Sequence, residues 1–355
     1  MPPAQARARI ESMRHLLNTL FVTTEGAYLH RDGETVLVRV EQDNRLRVPV
    51  HTLESIVCFG HIMCSPALMA LCAERNVAVS FLTEHGRFQA RVHGPVHGNV
   101  LLRRRQYRLA DDPCASAGIA RSLVLAKVAN CRTVLMRAAR ERPAGPEVAE
   151  LDETAAQLGR LLPSLESAAE VEAVRGLEGD CARRYFAVFD HLISANKERF
   201  FFRERSRRPP LDNVNALLSF LYTLLAHDVS AALETVGLDP AVGFLHEDRP
   251  GRPGLALDLM EELRPFLADR LALSLINRRQ VAPAGFRTTE SGAVLMDDGT
   301  RKEVLLAWQR RKQEELTHPF LDEPIAIGLL PYVQALLLAR HIRSDLDAYP
   351  AFFWR

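Results

Sequence analysis

Long uninterrupted apolar runs are missing from this sequence. No stretch approaches the roughly 18 residues a membrane-spanning helix needs, so no membrane is expected among its partners. The amino-terminal residues also lack the basic-then-apolar pattern of a secretory signal. Cysteine is sparse, and its six copies (Cys58, Cys64, Cys72, Cys114, Cys131 and Cys181) never fall in C-x-x-C spacing. That argues against a zinc knuckle and against a disulfide framework; it fits a reducing cytoplasm in which each thiol serves as a small buried hydrophobe. A dominant charge of one sign is missing too, since 45 basic and 44 acidic residues leave a formal net charge of +1.

That near-neutral sum hides clustering. Arginines run together at 103–105, 183–184, 207–208, 278–279 and 310–311, and Lys197, Arg199, Arg203 and Arg205 crowd the centre of the chain. Acids concentrate elsewhere, over 147–172 and 258–262. One charge run is usually a solvated face, but several arginine clusters in a neutral chain form local positive patches suited to phosphates. At 355 residues the chain has room for two domains, because single cores stop growing at about 250–300 residues. An apolar share of 47% and a charged share of 25% are those of an ordinary globular protein.

The periodicity changes once along the chain. Residues 1–12, rich in Pro, Ala and Arg, read as a disordered extension. Short alternating runs follow at 20–24, 28–31, 35–40, 46–50, 53–59, 77–82 and 88–92, with turn signals between them such as Asp32-Gly33. Ser65-Pro66 opens a short helix through Arg75. Breakers cluster at Gly94-Pro95-Val96-His97-Gly98-Asn99, and beyond them three/four spacing takes over. The pattern predicts an α+β protein: a small, mostly-β domain over 13–93, a linker over 94–102 and a large helical domain over 103–355. Within the latter, helices are expected at 117–142, 147–162, 167–175, 214–236 (with Asp212 as N-cap), 301–316 and 325–346, and a hairpin or flap over 286–300 turning at Asp297-Asp298-Gly299.

Chemistry-bearing residues gather in the segment 243–265. His246 lies in a stretch that Pro250, Gly251, Pro253 and Gly254 keep irregular. The helical run after it carries Asp258, Glu261 and Glu262, and on a helix Asp258 would neighbour both glutamates. An imidazole with clustered carboxylates is a ligand set for a divalent ion, Mg2+ or Mn2+ where oxygens dominate; the same spacing also makes a solvated helix face. Earlier in the chain, Glu178 reads as the start of a helix between Gly176 and Gly179, where an acid suits the helix dipole or could enter a cleft. Tyr185, two turns on, reads with Phe186 first as a core residue, and of the two it is the one placed to reach a phosphate.

Three ordered motifs carry a resemblance. They are Gly176-Leu-Glu-Gly-x5-Tyr185-Phe, then Arg207-Arg-Pro-Pro-x-Asp-x-Val-Asn-Ala-Leu-Leu-Ser-Phe-Leu-Tyr222, then Gly243-Phe-Leu-His followed by Leu255-Ala-Leu-Asp-Leu-Met-Glu-Glu-Leu-Arg-Pro265. Together they resemble the CRISPR-associated endonuclease and integrase family of spacer acquisition, and the opening Leu-Leu-Asn-Thr-Leu-Phe-Val with Arg31-Asp32-Gly33 is similar to its type I-C variant. The resemblance covers most of the chain but not the first twelve residues.

The resemblance implies a prokaryotic enzyme that inserts short foreign DNA into a CRISPR array by phosphodiester exchange, with one Mg2+ or Mn2+ held by Glu178, His246 and Glu261. Asp258 is kept as a fourth ligand or an outer partner, and Glu262 as a residue that packs or pairs with an arginine such as Arg264. Arg184, Arg203, Arg205, Arg207 and Arg208, with Tyr185, would contact DNA. The implied partners are double-stranded DNA (prespacer and repeat), a second copy joined through the β domains, and a small second Cas subunit completing a heterohexamer. Two other readings stay open: a scaffold that only holds DNA ends, and a metal-dependent hydrolase of small phosphate esters. A zinc enzyme is disfavoured, since one histidine and no cysteine join the set.

Overall fold

A computed structural model describes residues 18–41, 43–75, 77–83, 88–92 and 100–354. The expected extension over 1–12, and residues 94–99 of the expected linker, lie outside them. The chain divides into two compact units. Of the described residues, one holds those up to 92 with Leu305–Glu315 and Ala326–Leu329, and the other holds 100–304, Leu316–Ile325 and 330–354.

The first unit is strand-rich, as the alternating runs predict. Strands β1 (Asn18–Val22), β2 (Tyr28–Asp32), β3 (Thr35–Val40), β4 (Asp43–Pro49), β5 (Leu53–Phe59), β6 (Met63–Cys64), β7 (Ala78–Leu82) and β8 (Phe88–Val92) surround one helix, α1 (Pro66–Glu74). They form two four-stranded sheets, ordered β1-β5-β7-β8 and β4-β3-β2-β6. The β2–β3 hairpin turns at Gly33, whose φ of 60° is one that glycine adopts without strain. Ser65 caps α1 by accepting from Leu68 N, with Pro66 behind it. Leu29, Val36, Ile56, Leu68, Leu71 and Val79 make the core.

The second unit is helical: α2 (Val100–Asp111), α3 (Pro113–Arg140), α4 (Pro146–Ser167), α5 (Val171–Ala187), α6 (Asn213–Val236), α7 (Gly254–Glu261) and α8 (Arg270–Asn277). Strands β9 (Phe286–Thr288) and β10 (Val294–Met296) and helix α10 (Leu330–Ile342) belong to it as well, while α9 (Asp298–Gln313), β11 (Glu315–His318) and β12 (Glu323–Ala326) are divided between the units, Leu305–Glu315 and Ala326 falling in the first. Asp112 and Asp212 cap α3 and α6 with their carboxylates. Helix α6 alone, among the described residues, is long and apolar enough to cross a membrane, yet 67% of its most apolar window is buried inside the protein. It is a core helix, and α10 packs along it.

Four details depart from the sequence reading. Helix α2 begins at Val100, inside the stretch read as linker. Helix α5 runs straight through Gly176 instead of ending there, because packing on α3 and α4 outweighs the roughly 1 kcal/mol each glycine costs a helix. The β9–β10 turn falls at 289–293, where Gly292 has φ 79°; Asp297 accepts from Thr300 N and so caps α9 rather than turning a hairpin. The last helix spans Leu330–Ile342, and Glu323–Ala326 before it is a strand.

Candidate active site

The site is assembled by α3, α5, α7 and the loop before α7. Two glycines let that loop press against α7. A Cβ on Gly243 would stand 2.7 Å from Asp258 Oδ2 and 2.8 Å from the Gly254 carbonyl carbon, and one on Gly254 would stand 2.7 Å from Ala241 O. The close approach delivers three successive amides to one carboxylate. Phe244 N and Leu245 N donate to Asp258 Oδ2 at 2.6 and 2.9 Å, and His246 N donates to Oδ1 at 3.0 Å. His246 Nδ1 lies 2.6 Å from the same Oδ1. A carboxylate can only accept, so Nδ1 is the donor of this pair, and in the neutral imidazole that tautomer leaves the Nε2 lone pair free. From the other side Arg175, one turn before Glu178 on α5, donates to Leu245 O at 2.9 Å and ties α5 to this loop.

Glu178 and Glu261 converge on a cation the sequence reading missed. Lys127 of α3, only 6% exposed, places its ammonium 2.6 Å from Glu261 Oε2 and also pairs with Glu178 Oε1. Arg264 donates to Glu261 Oε1 at 2.5 Å. Burial alone would raise the pKa of Glu261; the charges of Arg264 and Lys127 outweigh it and bring the value down to about 2. For Lys127 burial pushes the other way, and Glu261 and Glu178 overcome it, holding the ammonium charged. A signal for Lys127 was present: it is one of four lysines in an arginine-rich chain, set in the apolar run Leu123-Val-Leu-Ala-Lys-Val-Ala.

The three acids expected on one helix face separate. Asp258 serves the 244–246 loop, Glu261 serves Lys127 and Arg264, and Glu262 turns to Tyr349, Gln334 and Phe352 N. All three are buried. Like charges at this spacing cannot share a dry environment, so each has its own donors. The pairing expected between Glu262 and Arg264 is therefore not found; Arg264 goes to Glu261.

Among the described residues no three His, Cys, Asp or Glu side chains lie close enough together to enclose an ion. The expected three-donor cluster is thus not closed up among them; Glu178 and Glu261 meet on the Lys127 ammonium instead. The donor set still fits a divalent cation. Two carboxylates from separate helices already share one positive charge, and Glu261 Oε2 accepts no hydrogen bond beside its ion pair with Lys127. An oriented imidazole offers Nε2, and its carboxylate partner is the usual support for a metal-binding histidine. Asp258 has both oxygens committed, which makes it a support for His246 rather than a fourth ligand.

Residues 20–310 match the family model described as CRISPR associated protein Cas1. The chain belongs to the Cas1 family. It is 52% identical over 343 residues to the CRISPR-associated endonuclease Cas1 1 of Chlorobaculum tepidum, covering 97% of this chain and 100% of that one. Against CRISPR-associated endonuclease Cas1 2 of Rhodospirillum rubrum the identity is 54% over 347 residues, with 97% and 100% covered. A solved Cas1 protein from Thermotoga maritima superposes with a TM-score of 0.80 at 23% identity, over 94% of this chain and 99% of that one, a likeness of fold.

The residues of this Cas1-family chain expected to meet DNA divide into two groups. Arg203, Arg207 and Arg208 are exposed. Arg184 is bound to Asp180 Oδ2 at 2.8 Å and Gln157 Oε1 at 2.6 Å. Arg205 turns inward, donating to Asn215 Oδ1 at 2.6 Å and to Ser206 O, with its guanidinium over the Tyr222 ring. Tyr185 is the core residue the sequence suggests, and its expected contact with DNA is not found. It is 1% exposed, packed edge-on against Phe186 and Phe189, and cannot reach a phosphate from there.

Proposed function

We propose that this Cas1-family chain is a divalent-metal-dependent DNA endonuclease and integrase that joins short foreign DNA to a CRISPR array. The observation that carries the reading is the convergence of Glu178 and Glu261, 83 residues apart, on one buried cation beside a histidine held by Asp258. Glu178, His246 Nε2 and Glu261 would hold Mg2+ or Mn2+, which when bound polarises a phosphoryl group and stabilises a departing 3′-oxygen. The chain's own groups do the rest. Asp258 fixes the imidazole with Nε2 free, and Lys127 and Arg264 set two positive charges around the carboxylates to offset the charge of an arriving phosphate. In cleavage water forms the new P–O bond. In integration a DNA 3′-OH forms it while the P–O3′ bond of the repeat breaks, so phosphodiester bonds are conserved. Exposed Arg203, Arg207 and Arg208 would hold phosphates without reading bases, and DNA binding should weaken steeply with salt.

The likeness to CRISPR-associated endonucleases supports nuclease activity, and a casposase bound to an integration product and a Cas6-RT-Cas1–Cas2 complex share the fold. A homodimer working with a small second Cas subunit on prespacer and repeat DNA is the assembly we propose. The test is joining and cleavage of labelled DNA with Mg2+, Mn2+ or EDTA, for the wild type and for E178A, H246A and E261A. Loss in all three variants and in EDTA is expected. Activity that survives them makes the chain a DNA-holding scaffold, and turnover of a nucleotide ester without benefit from longer DNA makes it a small-ester hydrolase.

A further inference from the structure

Glu262 is a carboxylate the reaction does not use, yet it is completely buried. Its Oε1 accepts from Tyr349 OH at 2.5 Å and from Gln334 Nε2 at 2.9 Å, and its Oε2 accepts from Phe352 N at 2.7 Å. Asn130 closes the arrangement from α3, one turn beyond Lys127. It donates to Glu262 O at 2.7 Å and to Phe352 O at 2.8 Å, and it accepts from Trp354 N at 2.8 Å. Beyond it the guanidinium groups of Arg137 and Arg270 lie over the Trp354 ring, 4.0 and 4.3 Å from its centre.

The backbone carbonyl and both carboxylate oxygens of Glu262 are therefore held from two directions, and Glu262 is peptide-bonded to Glu261. Helix α7 ends at Glu261; Glu262 N and Leu263 N both turn back to Met260 O before the π-helical stretch Pro265–Asp269, so the carbonyl and carboxylate of Glu262 take their partners from elsewhere in the fold. An apolar side chain would fill this space without the desolvation cost of a buried carboxylate. A polar clasp here makes sense where position matters more than stability. We propose that Glu262, Asn130 and the segment 349–354 form a positioning clasp that sets the carboxylate of Glu261 against Glu178. The clasp rests on the reading of Glu178, His246 and Glu261 as metal donors, and Glu262 and Asn130 act only through Glu261.

The experiment compares full-length Glu262→Leu, Glu262→Gln and Asn130→Leu with the wild type by two readouts. One is Mn2+ affinity, followed by the electron paramagnetic resonance of free Mn2+. The other is amide hydrogen exchange over residues 258–264 in metal-free protein. Glu262→Leu and Asn130→Leu should weaken Mn2+ 10–100-fold, the range for groups that support metal ligands, and speed exchange over 258–264. Glu262→Gln, whose amide oxygen can still accept from Phe352 N but whose NH2 then faces the donors Tyr349 OH and Gln334 Nε2, should weaken Mn2+ by less than Glu262→Leu. Tyr349→Phe, a milder change, serves where Glu262→Leu does not fold, and should weaken Mn2+ severalfold. A lower melting temperature with unmoved Mn2+ affinity would make the clasp merely structural and overturn the proposal. If wild type binds no Mn2+ through Glu178, His246 and Glu261, the metal reading falls; unchanged exchange over 258–264 in Glu262→Leu would separately overturn the clasp.

Discussion

The Lys127 ammonium stands 2.6 Å from Glu261 Oε2, a buried lysine held in place by the acid proposed as a metal donor. It reaches Glu178 as well, so one cation neutralises two carboxylates from different helices. Lys127→Met should leave both acids facing each other with only Arg264 for compensation. Removing one partner of a buried pair costs about 3–5 kcal/mol. Added Mn2+ should restore part of that loss, so the metal-induced rise in melting temperature should be larger in K127M than in wild type. Thermal melts with and without Mn2+ decide it, and an equal or smaller rise in K127M would refute the competition between ammonium and metal.

Much of this was legible in the sequence, because the signals were local. Alternation gave the strands, the Asp212 cap and its leucine stripe gave α6, and the resemblance carried by three ordered motifs singled out Glu178, His246 and Glu261. What escaped depended on burial, which no local pattern encodes. Lys127 reads as one charge on a long helix until its depth is known, and the choice between core and phosphate contact for Tyr185 is settled only once Phe186 and Phe189 close over it. The sorting of Asp258, Glu261 and Glu262 into three directions depends on donors from loop 244–246, from α3 and from 349–352, brought together only by the tertiary fold.

Gly243→Ala should disturb the histidine without touching it. The added methyl would meet Asp258 Oδ2 at 2.7 Å and backbone at 2.8 Å, distances no real Cβ tolerates. The loop must lift, taking the three amides and His246 Nδ1 away from Asp258. A stability loss of about 1–3 kcal/mol is expected from overpacking, with DNA cleavage falling more than tenfold. Urea denaturation and a cleavage assay on one preparation check both, and wild-type cleavage in G243A would show that the close approach does not position His246.

Gly179→Ala should do the reverse for stability. This glycine lies inside α5, and a Cβ there meets nothing within 4 Å. Replacing it removes a helix penalty of about 1 kcal/mol without a clash, so the melting temperature should rise by a few degrees. A fall would mean that the glycine relieves a contact the fold does not display.

Asp269 gives the pH dependence. It is 1% exposed and accepts from Tyr222 OH at 2.6 Å. Burial raises its pKa; the Tyr222 and Tyr185 hydroxyls and the charges of Arg205 and Arg264 pull it back only part of the way, leaving it at about 6. In the unfolded chain an aspartate titrates near 4, so folding favours the protonated form. This contribution to stability is complete below about pH 4 and is lost as pH rises through about 6. A shift of this size corresponds to roughly 3 kcal/mol across that window. Asp269→Asn, neutral throughout, lacks the slope, so its stability relative to wild type should climb by about that amount between pH 4 and pH 7. Urea denaturation at unit intervals of pH measures the difference. Parallel curves for the two proteins would mean that Asp269 is charged in the folded state at every pH tested, with Arg205 and Arg264 dominating its environment instead of burial.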